Sequence, residues 1–147
     1  MSDLNPVSFV VPGEAVGKGR PRVTTIGGHA RMFTPAKTAS YENLIAIAAQ
    51  TAMGGRDLIT GPVMVELRIF VSIAQSWSKK KRAEALAGEV KPTKKPDIDN
   101  VLKAICDGMN GIVFKDDVQV ISVSMAKKFG ETPGVIVRVV PLEGKSS

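Results

Sequence analysis

The stretch VMVELRIFVSI, Val63 to Ile73, alternates apolar and polar side chains along its length. That period of two places one set of side chains on each face of an extended chain and predicts a long β-strand. A strand leaves a row of N–H and C=O groups on each edge that neighbouring chain must pair, so the fold has to be built around a sheet. Partners are at hand. VSFVVP, Val7 to Pro12, reads as a short strand, and RVTTI as another, reached through the Gly-rich turn GEAVGKGRPR. GIVF reads as a brief strand. VQVISVSMAKK and GVIVRVVPL, separated by GETPG, are expected as antiparallel neighbours.

Helical patterns lie between these strands. Thr34 and Pro35 suit an N-cap followed by proline at the first helical position. From about Pro35 to Met53, the residues Tyr41, Leu44, Ile45, Ala48 and Ala52 recur at helical spacing. SWSKKKRAEALAG predicts a short basic helix capped by Ser76 or Ser78 and stopped by Gly88. A third helix is expected from about Asp97 to Asn110, with Ile98, Val101, Leu102, Ile105 and Met109 as its apolar stripe. Asp99, Lys103 and Asp107 then line the opposite face. Strands and helices alternate without a repeating βαβ unit, which predicts one α+β domain over residues 1–147, a mixed sheet packed by two to three helices. The 44% apolar content is enough for a core, and with only 5% aromatic residues that core is aliphatic.

Charge and composition exclude several classes. The chain carries 20 Lys and Arg against 14 Asp and Glu, a net charge of +6, which favours polyanionic partners. No apolar run approaches the ~20 residues of a membrane span, and MSDLNP lacks the character of a secretion signal; a cytoplasmic protein with no membrane partner is expected. The single cysteine, Cys106, excludes an internal disulfide and a cysteine zinc cluster. The single histidine, His29, in a Gly-flanked turn, excludes multi-His metal sites. Any metal here has to be held by carboxylates.

Those carboxylates are concentrated in KPDIDNVLKAICDGMNGIVFKDD, Lys95 to Asp117, with five aspartates between Asp97 and Asp117. Pro96 disfavours helical dihedrals at Lys95, so the helix begins just after it. Asp97 then sits at or near the N-cap and Asp99 in the first turn, where the helix dipole favours negative charge. If the KDD turn folds back, Asp116 or Asp117 returns toward the same helix. Carboxylates crowded together repel, and a hard oxygen-preferring cation such as Mg²⁺ or Mn²⁺ relieves the conflict. A metal held by carboxylates beside a lysine suits phosphodiester cleavage. A plainer account stands beside this one: an N-cap at Asp97, an i,i+4 pair of Asp99 with Lys103, and a turn tip at KDD.

The segment KPDIDNVLKAICDGMNGIVFKDDVQV resembles the signature of the RusA family of Holliday-junction resolvases, small endodeoxyribonucleases of bacteria and prophages. A D-x-D-N start, a lysine one turn on, a further Asp along the helix and a D-D-x-Q turn appear here as Asp97, Asp99, Asn100, Lys103, Asp107, Asp116, Asp117 and Gln119. SWSKKKR, GKGRPR and TPAKTASYE also look like phage-type members. The resemblance implies that Asp97, Asp99 and Asp117 bind a catalytic Mg²⁺, with Mn²⁺ a substitute, and that Lys103 is the catalytic lysine. It leaves open whether Asp116 or Asp117 faces the metal. Asp107 lies two turns past Asp99, about 12 Å along the axis at ~1.5 Å per residue, so an ion pair or an orienting role is expected of it. The resemblance further implies paired symmetric nicks in branched DNA by a homodimer, because a four-way junction is nearly two-fold symmetric and a two-fold dimer presents one site to each of two opposed strands.

GEAVGKGR follows a strand but fails the P-loop spacing, and Gly19 stands where that motif needs Ser or Thr. Lys18, Arg20 and Arg22 are read as phosphate contacts, with solvated turn charges the plain alternative. Lys79, Lys80, Lys81 and Arg82, together with Lys91, Lys94 and Lys95, form a prospective DNA-backbone surface. Trp77 is expected to anchor the basic helix rather than stack on an unpaired base, and Cys106 to be a small core or interface residue. Two other functions fit the same residues: a carboxylate-metal nuclease for flaps or forks, or a non-catalytic branched-DNA-binding module whose aspartates only cap a helix.

Overall fold

The alternating run does form the heart of a sheet. The computed structural model describes residues 4–18, 22–26, 29–33 and 36–147, with only the backbone given for 22–26 and 29–33. Its elements are β1 (Val7–Pro12), β2 (Arg22–Ile26), β3 (His29–Phe33), α1 (Ala36–Met53), β4 (Val63–Val71), α2 (Lys79–Leu86), α3 (Ile98–Met109), a 3₁₀ turn (Asp117–Gln119), β5 (Val120–Phe129) and β6 (Gly134–Pro141). Four strands make a mixed sheet in the order β1-β6-β4-β5, and β2 and β3 pair as a separate two-stranded ribbon. This is a single α+β domain with three helices. No helix among the described residues is long and apolar enough to cross a membrane.

Period-two burial sets which face of the sheet is covered. Val63, Val65, Leu67 and Ile69 of β4 are fully buried, in register with Val135, Val137 and Val139 of β6 and with Val7, Phe9 and Val11 of β1. Against them pack Tyr41, Ile45, Ala49 and Met53 of α1 and Val101, Ala104, Ile105 and Met109 of α3. Each such aliphatic side chain removed from water stabilises by roughly 1.5–3 kcal/mol. The core is as aliphatic as the composition requires, and Cys106 belongs to it at 4% exposure. The other face stays open, with Val10 and Ile136 exposed and Glu66 paired to Arg138 at 3.3 Å.

Several expectations change. β5 and β6 are not neighbours: β4 lies between them, parallel to β5 and antiparallel to β6, so that Phe70 pairs with Lys128 on one side and Gly134 on the other. The segment joining them crosses the end of β4, where Gly130 N–H donates to the Val71 carbonyl at 3.0 Å. A short turn signal tells that the chain reverses, not which strand fills the space between. Placing the most apolar strand centrally lets it form ladders on both edges. GIVF is not a strand but a tight turn with isolated bridges, Phe114 to Asn110 and to Ile59. Its backbone is satisfied locally, Gly111 N–H donating to the Phe114 carbonyl at 2.8 Å, which lets Val113 and Phe114 be fully buried without a ladder.

His29 opens β3, paired with Ile26, rather than sitting in a turn. The Gly27-Gly28 dipeptide between β2 and β3 is the sequence signal for such a ribbon. Leu44, expected in the α1 stripe, is 36% exposed, the buried series running instead through Thr38, Tyr41, Ile45, Ala49 and Met53. The expected cap at Thr34 and Pro35 lies outside the described residues.

Candidate metal and nucleic-acid site

The site is built on the solvent-facing side of α3 and on the turn that follows it. α3 begins where Pro96 predicts, with Asp97 at the N-cap position and Asp99 in the first turn. Asp97 has the extended dihedrals of a cap, yet its side chain makes no capping hydrogen bond. Its one contact is a long one, 3.4 Å, from the Asn100 side-chain amide. Asp99 is exposed and has no hydrogen bond or ion pair among the described residues. Both carboxylates therefore face solvent at the positive end of the helix dipole, where negative charge is favoured without being used to close the helix end.

Farther along the same face the charges are paired. Asp107 lies between two ammonium groups, Lys103 Nζ at 3.2 Å and Lys18 Nζ at 3.1 Å. Lys18 also donates to Glu42 of α1 at 2.6 Å. Gly17 makes this possible: a Cβ there would lie 3.0 Å from Asn100 Cβ, so glycine lets the loop close on α3, where Lys18 N–H donates to the Asn100 carbonyl at 2.9 Å. The hydrogen bond to Asp107 holds the Lys103 ammonium above its ordinary pKa, and that to Glu42 does the same for Lys18. Both stay charged at any physiological pH. Asp107 thus forms the ion pairs that its spacing predicts.

The KDD turn separates its two aspartates into different tasks. Asp116 caps the 3₁₀ turn, accepting from Val118 N–H at 3.1 Å, and completes a capping box with Gln119. Asp117 instead reaches α3, with its carboxylate 3.8 Å from Lys103 Nζ. The hydrogen bond that Asp116 accepts from Val118 N–H lowers its pKa, whereas a shared hydrogen bond with Asp116 raises that of Asp117. Asp117 is thus the member of the pair whose charged form is disfavoured by its neighbour, offset in part by the Lys103 ammonium, and a nearby cation would favour that charged form further.

The donors present are hard oxygens, which suit a divalent cation of the Mg²⁺ type. Among the described residues, however, no three acidic, histidine or cysteine side chains stand close enough together to hold an ion. Asp97 and Asp99 form one arm, Asp117 another, and Lys103 stands beside the second.

The basic residues fall into distinct places. Lys79, Lys80 and Lys81 are exposed on α2, whose N-cap is Ser78, its hydroxyl accepting from Lys81 N–H at 3.2 Å. Arg82 donates to the Ala74 carbonyl at 3.4 Å. Lys81 and Lys91 share one shallow groove with Lys94 and Lys95, floored by Trp77 and Phe129 and ending two residues before Asp97. Trp77 meets Phe129 edge-on at 5.2 Å and carries Lys81 Nζ over its ring at 3.9 Å, an anchored arrangement. Of the early basic turn, Lys18 is engaged with carboxylates, Arg20 lies outside the described residues, and Arg22 belongs to β2 with its side chain outside them.

Three participants carried no signal of this role in the sequence. Glu42 binds Lys18 from a helix 24 positions away. Lys127 of β5 donates to the carbonyls of Lys94 at 2.6 Å and Pro96 at 2.9 Å, holding the segment that delivers Asp97. Gln119 stood in the sequence pattern, but its long-range bonds to the carbonyls of Ile59 and Gly61 did not.

Comparison with known proteins agrees with this architecture. The uncharacterized protein YqaN of Bacillus subtilis strain 168 is 36% identical over 138 residues, covering 92% of this chain and 96% of that protein. The profile of the family described as endodeoxyribonuclease RusA matches residues 12–140, a span that takes in the whole acidic face, the groove, β4, β5 and all of β6 but its last residue, and begins at the end of β1. The chain belongs to the RusA family of endodeoxyribonucleases.

Proposed function

We propose that this protein resolves four-way DNA junctions by paired nicks, acting as a homodimer that requires Mg²⁺, with Mn²⁺ as a substitute. The observation that carries the reading is the state of the α3 terminus: Asp97 occupies a cap position without capping, and Asp99 has no partner among the described residues. A module that used these aspartates only to close a helix would engage them with the backbone. Carboxylates held at a helix N-terminus beside a lysine, in a chain of net charge +6, suit a phosphodiester substrate better.

Asp97, Asp99 and Asp117 supply the carboxylates that would hold the ion, and binding would require the Asp117 turn and the start of α3 to draw closer than they stand here. When bound, a hard divalent cation neutralises phosphate charge and lowers the pKa of water, the nucleophile of hydrolysis. The protein supplies the rest. Lys103, kept protonated by Asp107, stabilises negative charge developing on the phosphate oxygens. Lys18 neutralises the far side of Asp107 and so keeps Lys103 from being held there by a full carboxylate charge. Lys81, Lys94 and Lys95 line the groove leading to Asp97 and contact the backbone phosphates of one arm, each neutralised phosphate adding salt-dependent affinity. Two such faces related by a dimer axis match the two opposed strands of a junction.

The test is nicking of a synthetic four-way junction labelled on each strand, with Mg²⁺ and then with EDTA, using wild type and Asp97→Asn. Paired cuts that need both the ion and Asp97 support the reading. Equal cutting of flaps and forks turns it toward a general branched-DNA nuclease, and tight junction binding without cleavage under any metal removes the catalytic claim.

A further inference from the structure

We infer that Gln119 is a positioning residue: its amide ties the 3₁₀ turn, and with it the Asp117 carboxylate, to the loop Ile59–Gly61, and so keeps the two acidic arms in register. The inference rests on the proposed function of the acidic face and concerns a residue whose side chain bonds only backbone groups and none of the carboxylates.

A primary amide has two N–H donors and two acceptor lone pairs, and Gln119 uses all four. Its Oε1 accepts from the N–H groups of Lys115 at 3.0 Å and Asp116 at 3.1 Å. Its Nε2 donates to the carbonyls of Ile59 at 2.8 Å and Gly61 at 2.9 Å. The bond from Asp116 N–H completes the local capping box, that from Lys115 N–H is its neighbour, and neither needs anything beyond residues 115–119. The two donor bonds reach 60 and 58 positions back along the chain and add nothing to that cap.

What they reach is part of the body of the fold. Ile59 is buried, and its N–H donates to the Val113 carbonyl at 2.9 Å. Pro62, next after Gly61, accepts from Leu142 N–H at 2.9 Å. A turn of three residues has few contacts of its own to hold it, and none of its residues is buried. Without the Gln119 amide, Asp117 would sit on a surface turn tied to the rest of the fold, among the described residues, by its chain connections and its own 3.8 Å pair with the exposed Lys103. Metal sites lose affinity when the groups orienting their donors are removed.

Gln119→Glu separates the two halves of this device. Glutamate keeps both acceptor bonds and the capping box, but it has no N–H to donate and sets a charge against two carbonyl oxygens. Gln119→Met removes both halves and serves as the second variant. Four measurements are made on the full chain: thermal unfolding, hydrogen exchange at residues 115–119 without metal, Mn²⁺ binding by calorimetry, and junction cleavage against Mn²⁺ concentration with junction binding in EDTA as control.

The expected result for Gln119→Glu is a folded protein that binds the junction in EDTA within about twofold of wild type, exchanges faster at residues 115–119, and binds Mn²⁺ roughly 10–100-fold more weakly. Cleavage is then recovered by raising Mn²⁺. Mn²⁺ affinity and cleavage within twofold of wild type in both variants would overturn the inference. So would loss of the folded transition and of junction binding in both variants, which makes Gln119 a structural residue only. A wild type that neither binds Mn²⁺ nor cuts removes the functional reading, and this inference with it, and that result is read on the wild type alone.

Discussion

The two arms of the acidic face are built on opposite principles. At the start of α3, Asp97 and Asp99 sit on a helix whose other side packs Val101, Ile105 and Met109 into the core, so their backbone is rigid. Among the described residues their carboxylates make only the long 3.4 Å contact of Asp97 with Asn100. On the following turn, Asp117 opens three residues of 3₁₀ structure with no buried side chain, and Asp116 caps them. There, rigidity comes from polar bonds: the Asp116 cap and the four-bonded amide of Gln119. The α3 arm also has polar fastenings: the Lys127 ammonium on the carbonyls of Lys94 and Pro96 just before Asp97, and Lys18 N–H on the Asn100 carbonyl. The difference teaches that a helix terminus can present carboxylates for chemistry at little structural cost, whereas an exposed turn must enlist its own side chains to hold one in place.

The sharpest way to break that contrast is to remove charge from the free arm. Asp99→Asn is expected to lower junction cleavage on the order of 10³-fold. Its melting temperature should stay within about 3 °C of wild type, since no bond to a described residue is lost and only a few tenths of a kcal/mol of helix-dipole interaction goes with the charge; a larger drop with cleavage retained would return Asp99 to a structural role. Next in size, Lys103→Gln is expected to lower single-turnover cleavage by about 10²-fold. Its side chain is 57% exposed and its pairs are largely screened, so unfolding should scarcely change.

On the other arm the two aspartates should part company. Asp116→Ala loses the cap and should lower the melting temperature by a few degrees while reducing cleavage modestly. Asp117→Asn should do the reverse, losing cleavage as Asp99→Asn does with little effect on unfolding. Identical behaviour of the pair in both assays would mean that the turn does not divide their roles.

A smaller effect is expected from Lys127→Met. It frees two carbonyls and should raise hydrogen exchange in residues 94–98 and lower cleavage several-fold, without altering exchange at residues 115–119. The smallest effect at neutral pH concerns the buried side of α3. Burial pushes the Cys106 thiol up to about 12 from an ordinary value of 9.0, so native protein should resist maleimide labelling at pH 8 and react fully in urea. The sign follows: between pH 9 and 12 the unfolded chain ionises this thiol and the native chain does not, so its contribution to stability falls as pH rises through that window. Rapid labelling of native protein at pH 8 would show that α3 is less firmly seated than the contrast of the two arms requires.

Much of this was open to reading from sequence because it rests on local rules. Period-two alternation placed β1 over Val7–Pro12 and β4 from Val63, and Pro96 marked the start of α3. The spacing of Asp99, Lys103 and Asp107 by four put them on one face, and the aspartate-rich pattern between Asp97 and Gln119 pointed to the family. Ser78 and Gly88, with φ 83°, bracket α2 as their residue types predict. What local rules do not contain is partner choice between distant segments. GETPG announced a reversal but not that β4 would lie between β5 and β6. The apolar letters of GIVF did not say whether they would be buried in a ladder or in a turn.

The site divides along the same line. Residue types and spacing along one helix were enough to set Asp97 and Asp99 at its start and Lys103 one turn on, because a helix converts sequence interval directly into direction. Which of Asp116 and Asp117 turns toward α3, and that Lys18 would be taken up by Glu42 and Asp107, depended on side chains brought together by packing. So did the choice of Gln119 and Lys127 as fastenings for the two arms. Hydrogen bonds to backbone carbonyls carry no residue signature at the accepting end, and only the folded chain decides which carbonyls come within reach.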